Sequence, residues 1–251
     1  MKTQLAHALP AAAALLAAAF LPALAAAADA HPPGSRGGLY SAAWLVSDYR
    51  YQGVSSSDGH AAVQGVVHYF RPDGWYAGLF TSTVDYNDYG TSYELDFYGG
   101  KTLKLDRRTD LKLQVLYTTF PDNRTPGPTY DFIQGGVSLI RREGPLTLTG
   151  LATFVPDGSY ASGKIWRAEA AADYTLGKAL TLKTLAGRTW IERGQARTYW
   201  SVGAAAKWRF LTFEARYQDT NLNKRQCGFN PDICGPSLSG SVMAEFPLIL
   251  F

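Results

Sequence analysis

The 251-residue chain is poor in sulfur, in net charge and in long apolar runs, and each shortage removes a class of protein. Mean hydropathy is −0.13. A polytopic helical membrane protein would need several apolar runs of about 20 residues, so that class is excluded. The net charge is only +3, from 24 basic and 21 acidic residues, an excess too small to argue for nucleic acid. Histidine is scarce, and neither a nucleophile motif nor a metal-ligand cluster such as H-E-x-x-H occurs, so no enzyme, cofactor or metal is expected. Against two Cys and two Met stand 25 Gly, 15 Tyr, 12 Phe and 6 Trp, a balance that leans towards β structure.

Residues 1–30 differ in kind from the rest. A short start with Lys2 and His7, an apolar middle and an alanine-rich exit predict a secretory signal peptide, cleaved after Ala25, Ala28 or Ala30. A membrane anchor is disfavoured by Pro10, Pro22 and the preference for Ala over Leu. No Cys lies near the cleavage region, which argues against a lipoprotein. The expectation is an exported single domain over 31–251, beginning near His31.

That domain alternates apolar and polar residues in segments of about ten, separated by turn clusters. Twelve strands are predicted, at 39–50, 61–71, 75–86, 92–103, 110–120, 129–141, 146–155, 164–176, 180–191, 197–208, 212–219 and 237–251. Connectors after even segments are short, and most after odd segments are longer, as in transmembrane barrels. The predicted fold is an all-β, transmembrane, antiparallel up-and-down β-barrel with both termini at the short-turn end. Periodicity alone does not say which face is inside. Three features favour an apolar exterior over a soluble barrel. The strands are long enough to cross a bilayer at a tilt. Aromatics stand at strand ends (Tyr40, Trp75, Tyr86, Tyr130, Trp166, Tyr174, Trp200, Trp208), as interfacial girdles require. Charged positions carry both signs and can pair across a lumen.

Ser47-Asp48-Tyr49-Arg50-Tyr51-Gln52-Gly53-Val54-Ser55-Ser56-Ser57-Asp58-Gly59 is followed by Gly74-Trp75-Tyr76-Ala77-Gly78 and by Glu94-Leu95-Asp96-Phe97-Tyr98-Gly99. Over 46–100 this resembles the TorF family of proteobacterial porins. The resemblance implies a barrel in the outer membrane of a Gram-negative bacterium that passes small hydrophilic solutes. Its partners would be outer-membrane lipids and the barrel assembly machinery. The alternative is a non-conducting barrel whose lumen is filled by side chains.

Alternation places Asp48, Arg50, Gln64, His68, Glu94, Asp96, Lys112, Arg167, Glu169, Asp173, Glu214 and Arg216 on the lumen face. Asp48 and Arg50 are expected on one face of the first strand, opposite Gln64 and His68. Among Asp48, Arg50, Glu94, Asp96, Arg167, Glu169, Glu214 and Arg216, three Arg face five carboxylates, which predicts a modest cation preference for a conducting lumen. Ser55–Gly59 reads as an ordinary flexible loop. Cys227 and Cys234, in the longest outer connector of an exported chain, read as a disulfide. Arg107, Arg108, Arg141 and Arg142 put positive charge at the short turns, available for lipid headgroups or simply solvated. Phe251 resembles a terminal assembly signal, although the alternation Val242, Ala244, Phe246, Leu248, Leu250 is one position out of phase with it. A bulge at Pro247 would reconcile the two.

Overall fold

A computed structural model describes residues 36–86, 90–124, 127, 129–227, 231–246 and 249–250. The expected signal peptide with Ala25, Ala28 and Ala30, as well as His31, Pro247 and Phe251, lies outside them. Twelve long strands form one antiparallel sheet: β1 Gly38–Val46, β2 Ala62–Phe70, β3 Trp75–Thr83, β4 Tyr93–Lys104, β5 Thr109–Thr119, β6 Phe132–Glu143, β7 Leu146–Gly158, β8 Gly163–Leu176, β9 Leu180–Ile191, β10 Arg197–Trp208, β11 Leu211–Thr220 and β12 Ser237–Glu245. Each pairs with its sequence neighbour, and β1 also pairs with β12 from Ala42↔Glu245 to Val46↔Ser241, which closes the barrel. Closure leaves no open edge, the condition for placing strands in lipid.

The strand rhythm of the sequence matches the observed ladder, with three informative departures. β1 stops at Val46 rather than running to residue 50, because Asp48 draws Arg50 and Ser55 onto its carboxylate and turns the chain inward. Such local side-chain bonds compete with a strand ladder. The connector between β7 and β8 shrinks to 159–162 as both strands extend into it. At the C-terminal end, Gly38 pairs with Leu250 while Ala42 pairs with Glu245. Four steps along β1 are therefore matched by five on the other chain, the one-residue slip that defines a bulge.

The faces are inverted relative to a soluble barrel. Leu45, Val63 and Val115 point outward at 56–58% exposure, whereas Glu94, Arg167 and Arg197 point inward at 1–4%. Outward aromatics form two bands. Trp75, Tyr174 and Trp208 mark the short-turn end; Trp166, Trp190 and Trp200 mark the long-loop end. Lys101, Arg188 and Arg209 place cations over Trp75, Trp190 and Trp208 at 5.0–5.6 Å, an arrangement suited to the lipid interface. Three of the aromatics assigned to girdles belong elsewhere. Tyr40 points into the lumen, while Tyr86 and Tyr130 pack with Phe120 in an inner cluster near the long-loop end. A strand-end position does not fix which face a ring takes.

Candidate pore lumen

The interior is divided. Over β1–β9 the inward positions include Tyr40, Val66, Phe80, Leu116, Phe132 and Val155, which pack together as a core. Across β9–β12 they include Ser201, Ala205, Ser239 and Ser241, and these small side chains leave a cavity of about 500 Å³. It runs from Gln52 and Gly53 at the long-loop end to Ala179 and Thr212 at the short-turn end.

Charge on the cavity wall is balanced and paired. Lys183 Nζ donates to Glu214 Oε2 at 3.1 Å, while Arg216 Nε and Nη2 donate to Glu214 Oε1 at 2.8 and 2.5 Å. Arg216 Nη1 also reaches Ser201 Oγ at 3.0 Å. Lys207 pairs with Glu245. Tyr199 donates to Glu169, whose Oε1 lies 3.7 Å from Arg167 Nη1. Gly187 makes room for that contact: a Cβ there would stand 2.6 Å from the Tyr199 ring.

One end of the cavity is formed by a segment that folds into the barrel. Arg50–Tyr51 and Val54–Ser55 pair as a small hairpin whose tip, Gln52-Gly53, takes positive φ at 52° and 75°. Gly53 permits this conformation without strain, and a Cβ there would also strike Thr220 Cγ2 at 2.3 Å. Gln52 Oε1 accepts from Thr189 Oγ1 at 2.8 Å and from Arg197 Nε and Nη2 at 3.0 and 2.5 Å. Arg50 binds Asp48 and donates from Nη1 to the carbonyls of Gly53 and Gly235 at 3.2 and 2.9 Å. Ser55 Oγ donates to Asp48 Oδ1 at 2.6 Å, and Ser57 Oγ accepts from the Tyr49 N–H at 2.9 Å. The expected flexible serine loop is therefore corrected: Ser55, Ser56 and Ser57 are buried parts of this network.

The remaining candidates are dispersed. Asp48, Arg50, Gln64, Glu169, Glu214 and Arg216 line the cavity. His68 does not join Asp48 and Arg50; its Nδ1 lies 3.1 Å from Tyr98 Oη, among Phe70 and Tyr76. Lys112 is buried with its ammonium 4.6 Å from the Tyr76 ring centre. Asp173 is half-buried on the inner face of β8. Glu94 and Asp96 are buried on the inner face of β4 and are not part of this cavity's lining. The cavity wall carries four basic residues (Arg50, Lys183, Lys207, Arg216) against four acidic ones (Asp48, Glu169, Glu214, Glu245), so the expected carboxylate excess is absent there. Arg197 and Gln52, the anchors of the hairpin, were not singled out from the sequence. Arg197 stands two residues before Tyr199 in the inward phase of β10, a signal that alternation could have supplied.

Cys227 and Cys234 are disulfide-bonded and buried against Val54 and Leu222, so the bridge backs the hairpin as well as closing its own loop. At the short turns, Arg108 and Arg141 pair with Glu143, and Arg142 Nη1 meets Asp110 Oδ2 at 2.6 Å. The Arg108 N–H and the Thr109 hydroxyl hold the Asp106 carboxyl below its usual range.

A closed twelve-stranded antiparallel barrel with an apolar belt and a charged, partly hollow lumen defines the porin-like class of fold. The sequence profile of the family described as "Bacterial protein of unknown function (Gcw_chp)" matches residues 34–233, and the chain belongs to that family. Among solved structures it is similar to "KdgM porin in complex with disordered oligogalacturonate", with TM-score 0.57, 7% identity, and coverage of 84% of this chain and 99% of that one. It is also similar to "NanC porin structure in rhombohedral crystal form", with TM-score 0.54, 11% identity, and coverage of 86% and 100%. A search of curated proteins finds no match.

Proposed function

We propose that this chain is a pore-forming protein of the Gram-negative outer membrane, of the TorF kind that residues 46–100 resemble, passing small hydrophilic solutes by diffusion. Outer-membrane lipids surround its belt, and the barrel assembly machinery inserts it. The observation that carries the reading is the cavity of about 500 Å³ inside an apolar-belted barrel, whose wall sets paired charges and hydroxyls among apolar side chains such as Trp44, Phe80 and Met243. The porin folds it is similar to add support. The KdgM structure holds an oligogalacturonate, a polyanion. Here the wall charges balance, which favours neutral solutes and weak ion selectivity. The inward hairpin, anchored by Arg197 and Thr189, restricts the path at the long-loop end.

Single-channel recording of purified, refolded protein in a planar bilayer tests this. Discrete conductance steps with a reversal potential near zero across a salt gradient are expected. A folded, heat-modifiable band that gives no steps would overturn the pore and leave a non-conducting barrel, filled by the β1–β9 core and the hairpin.

A further inference from the structure

Eight buried side-chain polar atoms make no well-formed hydrogen bond among the described residues, and four of them lie together, with Asp96 flanked by the other two groups: Glu94 Oε1, both Asp96 carboxylate oxygens and Thr118 Oγ1. β4 puts Glu94 and Asp96 two residues apart on its inner face, and the ladder sets Thr118 of β5 directly across from Asp96. Glu94 and Asp96 are 2% and 0% exposed, and Thr118 is 0% exposed. The fourth group of the cluster comes from the inward segment, whose Tyr49 donates its phenol proton to Glu94 Oε2 at 3.2 Å. Tyr49, Phe120 and Tyr130 belong to the apolar cluster above it.

Among the described residues, the recorded contacts of three basic inner-wall side chains lie with other groups. Lys112 lies over Tyr76, Arg142 reaches Asp110, and Arg167 reaches Thr153 and Glu169. Two adjacent carboxyl groups are thus buried beside a hydroxyl and a phenol, and among the described residues no ion pair to either is recorded. Buried carboxylates in that position call for a bound cation or a shared proton. The donor set is all hard oxygen, with no imidazole or thiolate, which disfavours zinc and copper. Magnesium sheds its water reluctantly and demands strict octahedral geometry, whereas calcium accepts irregular sets of carboxylate and neutral oxygens.

We propose that Glu94, Asp96, Thr118 and the Tyr49 oxygen form a binding site for one calcium-class divalent cation, which ties the inward segment to the β4–β5 wall. The site is independent of whether the lumen conducts.

The test uses the refolded mature barrel in a zwitterionic detergent free of lipopolysaccharide. Terbium serves as the probe, with emission excited through tyrosine. Wild type should show sensitised emission that excess calcium reverses. Calcium should also raise the temperature of the heat-modifiable gel transition by several degrees relative to chelator. Both effects should vanish in Asp96→Asn and persist in Asp157→Asn, which alters an exposed carboxylate outside the site. Absence of sensitised emission in wild type, together with a calcium-independent transition, would overturn the proposal and leave a proton shared by the two carboxyls. Retention of both effects in Asp96→Asn would overturn it equally. Should Asp96→Asn not fold, Glu94→Gln replaces it, and the wild-type titration decides by itself.

Discussion

Placing a charge on the belt tests the inversion of the barrel most directly, and Ala170→Arg is the sharpest probe. Ala170 points outward on β8, four residues from Trp166 in one aromatic band and four from Tyr174 in the other. At about 3.3 Å per residue that is roughly 13 Å along the strand to each band. With a tilt near 40° it corresponds to about 10 Å of depth, so Ala170 sits close to the midplane. Its ladder partners are Gly150 and Ala186, which offer an arginine neither a partner nor cover. The expected cost is about 2–4 kcal/mol, the range for arginine at mid-bilayer. The control must face inward, where the cavity gives a guanidinium room. Ser241 lines the cavity and lies across from Glu214. Ser241→Arg avoids lipid and meets only part-exposed charges, whose interactions are worth about 1 kcal/mol or less, so it should cost no more than that. Glu169 would be a poor control, because it accepts the Tyr199 phenol and stands beside Arg167. Reversible urea unfolding of barrels refolded into vesicles gives both differences. Equal tolerance of arginine at 170 and 241 would refute the assignment of faces.

Gln52→Ala removes the acceptor shared by Thr189 and Arg197, so the hairpin should loosen and the conductance or open fraction in planar bilayers should rise; unchanged conductance would show that the hairpin does not restrict the path. Replacing both Cys227 and Cys234 by Ser should lower stability by roughly 2–3 kcal/mol at most, seen as an earlier heat-modifiable transition. It should also perturb the hairpin through the Arg50 contact with Gly235. Cysteines placed at His60 and Arg193, both exposed at the long-loop end, should react with an impermeant maleimide on intact cells, whereas those at Asp73 and Arg107 should not; labelling at 73 or 107 would reverse the orientation.

The strands were legible because inward and outward residues differ in kind at every second position. Arg167, Glu169 and Asp173 against Trp166, Ala168 and Ala170 is a pattern that only one face assignment explains once the fold is closed. The hairpin was not legible. Serines, Asp58 and Gly59 would read the same in a solvated loop as in a segment folded inward, because turn chemistry reports backbone shape and not surroundings. Asp48 and Arg50 share the two-residue spacing of a strand face, yet they meet because the chain turns between them. Burial of Tyr40, Tyr86 and Tyr130 was hidden for a related reason: an aromatic at a strand end fits a girdle or an inner cluster equally well. The C-terminal bulge could be anticipated, since Phe251 and the Val242–Ala244–Phe246 phase disagreed by one position, and the ladder resolves that conflict with its slip before Ile249.

The division of the lumen follows from side-chain volume and limits what the barrel can pass. Twelve strands enclose less space than the 16–18 of the large porins, so a few bulky inward residues decide how much remains open. Over β1–β9 those residues are Phe, Tyr, Leu and Val, and they pack to a core. Over β10–β12 Ser201, Ala205, Ser239 and Ser241 stand beside charge pairs, and space persists. Lys183, Glu214 and Arg216 keep 16–21% of their side-chain surface exposed in that space and hold one another against the wall instead of reaching across it. A path confined to one side, neutral in sum and bounded by an anchored hairpin fits small hydrophilic solutes. Extended polyanions would need a continuous basic track, and each basic residue on this cavity wall has an acidic partner.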